Sequence, residues 1–227
     1  MKRAIITGLA LLAGACAGGR AERGMDTVSD SDYGRLQPGQ AQGVDDARQQ
    51  ELQARDELAR AKLRLTDTQH EEELAKADQT AADSDKKRAE AEAKMATDSN
   101  DPAQRQRAQE LNETAQLHRR AADAHLDYAK KLDDARKAEV DAAQKRLDQM
   151  EAKVNLAKLQ ALQSANIPAA GKYDMAAMTN RVNKNERDHQ DAVQKARTLD
   201  GQATSAQERW QDLNRQLQAR AAGSNRG

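Results

Sequence analysis

Residues that break helices or strands are nearly absent from the long middle part of this 227-residue chain. Between residues 44 and 222, glycine occurs only at positions 171 and 201, and proline only at positions 102 and 168. Because glycine and proline are the residues that most often mark turns, this stretch has room for very few chain reversals. The sequence therefore predicts a small number of unusually long secondary-structure elements.

The composition indicates that these elements are helices. Charged residues make up 33% of the chain, phenylalanine is absent, and there is one tryptophan. The apolar residues are largely alanine and leucine, and their mixture with Glu, Lys, Arg and Gln is typical of long helices that pack along narrow seams. Lys plus Arg equals Asp plus Glu, at 37 each, with the signs interleaved. This balance argues against nucleic-acid binding, which usually needs a basic excess.

The spacing of apolar residues predicts three helices, over residues 44–98, 102–165 and 173–222, followed by a tail at 223–227. Small residues recur every seven positions along the first helix: Ala47, Ala54, Ala61, Thr68, Ala75, Ala82, Ala89 and Ala96. Small side chains at one heptad position let a partner helix approach closely. Asp101 suits the N-cap of the second helix, and Pro102 suits its first position.

The second and third predicted helices carry apolar seams with steps of three and four residues. The seam of the third helix contains Met175, Met178, Val182, Asn185, His189, Ala192, Ala196, Leu199, Ala203, Ala206, Trp210, Leu213 and Leu217. Because short connections give antiparallel neighbours, we predict an all-α fold, an elongated antiparallel three-helix coiled-coil bundle about 75–95 Å long. Antiparallel threading places His125, Tyr128 and Trp210 at one level, where we expect an aromatic layer.

The beginning of the chain has the layout of a secretory signal peptide. Lys2 and Arg3 precede a nearly all-apolar run at residues 4–13, and small residues follow. The run is too short to span a bilayer, which takes about 20 residues. The segment Leu12-Ala13-Gly14-Ala15-Cys16 resembles the lipobox of bacterial lipoproteins.

The resemblance implies that residues 1–15 are a signal peptide and that Cys16 becomes the acylated first residue, carrying palmitate-like chains in a membrane. Ala17 stands where many lipoproteins have the Asp of an inner-membrane retention signal, which favours the outer membrane, facing the periplasm. Ala13-Gly14-Ala15 also fits the pattern of ordinary signal cleavage at the same bond, so a soluble product stays open. Residues 16–43, rich in glycine and polar residues, are predicted to be a flexible linker.

No catalytic or metal-binding pattern stands out in the rest of the chain. The chain has four histidines and one cysteine, whereas a zinc site needs three or four converging ligands. His118 and His125 lie one heptad apart, about 10 Å along a helix. We interpret them, with His70, His189 and Asn185, as polar residues that fix the alignment of the helices. A metal site, and a pH switch at His118 and His125, are the alternatives.

Two functions fit this sequence. The first is an outer-membrane-anchored lipoprotein with a structural, spacer or partner-docking role in the bacterial cell envelope, meeting protein partners through its helical faces. It predicts a closed bundle. The second is a soluble periplasmic helical chaperone or binding module, which predicts ordinary cleavage and an open, exposed hydrophobic surface. Homo-oligomerisation is compatible with both, and we expect neither enzymatic activity nor a cofactor, because no phosphate-binding loop or nucleophile elbow occurs.

Overall fold

The described residues of the chain, 27–99 and 101–224 of a computed structural model, are almost entirely helical. In chain order the helices are α1 (Asp30–Tyr33), α2 (Gln42–Ser99), α3 (Pro102–Ser164) and α4 (Met175–Ser224). Two 3-10 turns, Pro38–Gln40 and Pro168–Lys172, precede α2 and α4 respectively. These residues contain no strand, and the predicted all-α fold with three long helices is confirmed.

The reversal between α2 and α3 follows the predicted capping. The Asp101 carboxylate accepts a hydrogen bond from the Ala103 backbone N–H at 2.9 Å, and Pro102 is the first helical residue. The missing backbone N–H of proline costs no hydrogen bond at this position, because the first backbone N–H groups of a helix have no partner within the helix. α3 therefore begins at the residue that the sequence predicts.

The reversal between α3 and α4 uses a left-handed residue at the end of α3. Asn166 has a φ of 51°, a conformation that asparagine tolerates better than most residues. Ile167 N–H donates to the Leu162 carbonyl across this residue at 2.9 Å, as in a Schellman motif. Asp174 then caps α4 by accepting from two backbone N–H groups, at 2.8 and 3.1 Å. Because of this cap, α4 begins at Met175 and not at the predicted residue 173.

The long helices run antiparallel. Between α2 and α3, Arg146 pairs with Glu57 at 2.9 Å and Arg64 pairs with Glu139 at 3.1 Å. Between α3 and α4, the Asn185 side-chain amide donates to the Asp148 carbonyl at 2.9 Å, and Arg220 pairs with Glu113. Rising residue numbers on one helix thus meet falling numbers on the next, as the short connections require.

The predicted small-residue seam of α2 is buried against α3. Only Ala47 is half-buried, and the fully buried members are Ala54, Ala61, Thr68, Ala75, Ala82, Ala89 and Ala96. The one hydroxyl among them is satisfied, because Thr68 donates to the Leu65 carbonyl at 2.7 Å. The α4 seam is likewise turned inward, since none of its predicted members is exposed.

Helix α3 is the central helix, and it buries a second stripe that sequence analysis missed. The buried members of this stripe include Ala121, Ala124, Tyr128, Ala135, Ala138, Ala142, Gln149, Ala152 and Leu159. Most of its members precede a residue of the predicted α3 seam by one position, as Ala121, Ala124 and Gln149 precede Ala122, His125 and Met150. A step of one residue is a rotation of about 100°. α2 and α4 therefore pack on neighbouring faces of α3 and hardly contact each other. The arrangement is open, in contrast to the closed bundle that the first functional hypothesis predicts.

Part of the segment predicted as a flexible linker is folded. Val28 is 1% exposed and packs with Leu159, Leu162 and Met178 at the end of the rod where α3 turns into α4. Tyr33 and Leu36 pack against the same cluster. Such isolated apolar residues among polar ones have no helical period, so their partners emerge only in the tertiary structure. Residues 16–26 of the predicted linker lie outside the described residues.

Enlarging one alanine of the α2 seam tests the close approach of α2 and α3. Ala89 is 0% exposed, and Ala89→Leu should lower the free energy of unfolding by about 1–3 kcal/mol through overpacking. Ala91→Leu, two residues away on the exposed side, should change it by less than about 0.5 kcal/mol. Urea unfolding followed by circular dichroism measures both variants, and equal stabilities would contradict the seam.

Candidate functional site

Cys16, the predicted lipidation site, lies outside the described residues, so its acylation stays a prediction. Across residues 27–99 and 101–224, no helix is both long and apolar enough to cross a membrane. The same residues contain no group of three or more His, Cys, Asp or Glu side chains arranged to hold a metal ion. The features with a defined geometry are a layer around His125, a groove between α2 and α4, and a clamp formed by the N-terminal segment.

The layer around the His125 side chain of α3 is the first of these features. The side chain is buried, and both of its ring nitrogens lie against carboxylates of α2. Nδ1 is 2.6 Å from Asp78 Oδ2, and Nε2 is 3.0 Å from Glu71 Oε1. An ionised carboxylate only accepts hydrogen bonds, so a ring nitrogen that carries hydrogen donates to it.

The predicted aromatic layer at this level is confirmed. The Trp210 ring of α4 stacks on His125, with centroids 4.0 Å apart and planes inclined by 7°. Tyr128 lies beside Trp210, with centroids 5.6 Å apart. Burial, followed by the charge of Glu71, raises the pKa of Tyr128 above its ordinary value, which keeps the phenol neutral. The layer joins all three long helices, since the His125 ring of α3 contacts two carboxylates of α2 and stacks on an indole of α4.

The other histidines do not converge on this layer. His118 Nδ1 is 2.8 Å from Asp85 Oδ2, one heptad along from the His125 contacts. His70 lies on the exposed side of α2, with 77% of its side chain accessible, and His189 lies in the groove. His118 and His125 thus follow a ladder of α2 carboxylates, and the pH-switch role stays a hypothesis.

An open groove runs along α3 between α2 and α4, with a volume of about 510 Å³. Its base is formed largely by small side chains and its walls by charged ones: Ala61, Ala142, Ala143, Val193 and Ala196 at the base, with Glu57, Arg60, Arg64, Glu139, Arg146, His189, Arg197 and Asp200 around them. Burial, followed by the positive charge of Arg146, lowers the pKa of His189, so this ring favours the neutral form.

The N-terminal clamp is a hydrogen-bonded cluster that sequence analysis missed. Asp32 of α1 is 4% exposed and accepts a hydrogen bond from the Tyr173 hydroxyl at 2.8 Å. The same hydroxyl accepts from Ser29 N–H at 3.1 Å, and Lys172 donates to Asp32 at 3.3 Å. Lys158 of α3 pairs with Asp30 at 3.0 Å. Sequence analysis placed Ser29 and Asp32 in the flexible linker, because their partners lie more than a hundred residues further on.

Removing the Tyr173 hydroxyl tests this clamp. The pKa of Asp32 lies below its ordinary value, first through the Tyr173 hydrogen bond and then through those from Lys172 and Ser29. A lowered folded-state pKa contributes stability above the ordinary carboxyl pKa, and that contribution is lost as pH falls through the folded-state value. Tyr173→Phe should therefore lower the urea midpoint at neutral pH, with a smaller loss in acid.

Tyr33→Phe is the matched control for that experiment. Tyr33 packs against the same apolar cluster, and within the described part of the chain its hydroxyl makes no hydrogen bond, although Arg48 and Lys158 lie over its ring. This variant should unfold at the wild-type urea midpoint at both pH values. A Tyr173→Phe midpoint equal to wild type at neutral pH would contradict the proposed role of the hydroxyl.

Two substitutions of His125 separate its hydrogen bonds from its stacking. His125→Phe keeps a ring against Trp210 but loses both carboxylate contacts, and should cost about 1–3 kcal/mol of unfolding free energy. His125→Ala should cost more, because it also leaves a cavity beside the indole. Unfolding in urea, followed by the fluorescence of Trp210, measures both. His70→Phe, on the exposed side, is the control, and a similar loss there would argue against a special role for the layer.

Comparisons with known proteins assign no family to this chain. No family model, no curated protein and no solved structure matches it. Its function is therefore inferred from the geometry of the rod, from the clamp at one end of it, and from the sequence that precedes the clamp.

Proposed function

We propose that the protein is a lipoprotein of the bacterial cell envelope, anchored in the outer membrane by acyl chains on Cys16 and acting as a spacer or docking element in the periplasm. The anchor rests on the lipobox-like segment that ends at Cys16, after a signal peptide at residues 1–15. The rest of the role rests on a long helical rod that offers extended surfaces to protein partners. We propose no enzymatic activity.

The N-terminal clamp is the observation that carries the proposal. It packs Val28 and α1 onto the end of the rod where α3 turns into α4. A chain held at Cys16 therefore enters the rod at a defined end, and the α2–α3 reversal lies at the other. Val28 lies twelve positions after Cys16, and the chain between them reaches at most about 40 Å when fully extended.

These lengths suit a spacer or docking element. The 63 residues of α3 span about 95 Å at the helical rise. A rod attached by a short tether at one end presents its far end at up to about 130 Å from the membrane surface. A long rod that packs through alanine buries little apolar area for its length. What it provides instead is length and exposed surface.

A soluble chaperone or binding module is the second candidate, and a specific observation favours it. The outer helices leave an open groove along α3, and α2 exposes large apolar side chains. These are the open surfaces that this hypothesis predicts. The two functions share the rod and differ in whether Cys16 is acylated.

The mass of the mature protein separates the two candidates. In the bacterial host, we expect the protein in the membrane fraction, with an N-terminus at Cys16 and the added mass of acyl chains. A mature protein in the soluble periplasmic fraction that begins at Cys16 with a free thiol would overturn the anchor and leave the binding module.

Cys16→Ser is the control, because it removes the acylated thiol and leaves Ala13-Gly14-Ala15 intact. If the lipoprotein route processes the chain, the variant should accumulate as an uncleaved precursor. Normal cleavage of the variant would show that the ordinary signal route acts at the same bond, and would count against the proposal.

A further inference from the structure

The large apolar side chains exposed on the described residues all lie on α2. Leu52, Leu63, Leu74 and Met95 are 61%, 67%, 59% and 55% exposed. Scattered apolar residues are normal on a surface, but these share one helix of three. That helix packs on α3 largely through alanine, with Leu58 also buried, so these four exposed side chains are not used for that contact.

Three of these residues form a leucine stripe, defined as Leu52, Leu63 and Leu74. They are spaced eleven residues apart, which is close to three full turns, so each is rotated by only about 20° from the one before. Leu52 and Leu63 lie about 160–180° around the helix from Ala54 and Ala61 of the buried seam, on the outer face of α2 away from α3. Leu74 lies about 100° from the neighbouring buried Ala75, on the side of the helix.

We propose that two copies of the protein pair through the leucine stripes of their α2 helices, running antiparallel about a twofold axis at Leu63. In this alignment residue i of one copy lies opposite residue 126 minus i of the other. Leu63 then meets Leu63, and Leu52 meets Leu74 at either side. A repeat of eleven residues needs almost no supercoiling, so two straight helices can keep these contacts.

The charges beside the stripe favour a second copy in this orientation. Arg60 and Asp67 flank Leu63 on the same side, and within the described part of the chain neither forms an ion pair. About the twofold axis, Arg60 of each copy lies next to Asp67 of the other. These two symmetry-related attractive pairs border the stripe.

A parallel pair would lose these attractions. In a parallel alignment the same flank of the two copies falls on opposite sides of the pair, so Arg60 of one copy no longer meets Asp67 of the other. The antiparallel pair has one like-charged contact near its axis, Lys62 with its own copy. The Lys62 side chain is exposed and long enough to turn its ammonium group into solvent.

The pairing is independent of the anchor. It requires only α2, so it applies to the rod with or without acyl chains on Cys16. In an antiparallel pair the two N-terminal clamps point to opposite ends, about 60 Å apart along α2.

The first test measures self-association of the mature chain, residues 16–227, with Cys16→Ser in every sample so that lipid plays no part. Sedimentation equilibrium should show a monomer–dimer equilibrium. Leu63→Glu places two like charges on the twofold axis and should raise the dimer dissociation constant at least ten-fold. Met95→Glu is the matched control, because position 95 would face residue 31, outside α2, and should leave the constant unchanged.

A charge exchange tests the partner and its orientation. Asp67→Arg alone should weaken the dimer several-fold, and adding Arg60→Asp should restore it, because the attraction between copies is rebuilt with its signs reversed. A chain that is monomeric at every concentration overturns the proposal, as does an equal loss from Met95→Glu and Leu63→Glu, or a failure of the exchange to restore pairing.

Disulfide cross-linking distinguishes the two orientations directly. Leu52→Cys and Leu74→Cys, mixed in equal amounts, should form a joint dimer under mild oxidation, whereas Leu52→Cys alone should not. Efficient cross-linking of Leu52→Cys with itself would mean a parallel pair and would overturn the proposal. Circular dichroism of each variant checks that the rod is folded.

Discussion

The rest of the structure depends on the close approach of α3 to its two neighbours. That approach is possible because alanine occupies almost every inward position of α2 and a second, shifted stripe of α3. An alanine contact contributes little apolar area, roughly one methyl group each. The rod must therefore be long, so that many small contributions add up to the few kcal/mol that hold a protein together. The elongated shape of the rod therefore follows from the use of alanine as the main packing residue.

An alanine seam that repeats every seven residues does not by itself select one alignment of two helices. The α2 carboxylates share the same period, since Glu71, Asp78 and Asp85 face His125 and His118 in turn. A slip of seven residues would still offer each histidine a carboxylate. The short connection between α2 and α3 excludes that slip, and the histidine ladder strengthens the alignment that the connection sets. Between α3 and α4, the stacking of Trp210 on His125 fixes the alignment of the two helices. The chain has one tryptophan, so a shifted alignment could not reproduce this contact.

The open arrangement connects the fold to its proposed roles. Because α2 and α4 occupy neighbouring faces of α3, the molecule keeps a groove on one side and an outer α2 face with free leucines. A closed triangle of helices would have buried more apolar surface and left less to offer a partner. The clamp adds direction to this rod, since Asp32, Tyr173 and Val28 hold the entering chain at one end. A tethered docking element needs an exposed surface for its partner and a defined end at which the chain is attached.

The sequence by itself determined the helices, their order and their direction. These properties can be predicted from the sequence because each depends on local features. The features are the scarcity of glycine and proline, the helix start at Asp101 and Pro102, and the alanines at heptad spacing. They also placed His125, Tyr128 and Trp210 in one layer, because antiparallel threading with short connections leaves little freedom. Only the tertiary structure decided that α3 packs against two helices on faces about 100° apart. In the sequence, two seams shifted by one residue overlap in one alanine-rich pattern, so the second seam cannot be distinguished from the first. The tertiary structure also decided that Val28 and Asp32 are buried, since each is stabilised by groups more than a hundred residues away that no local pattern connects.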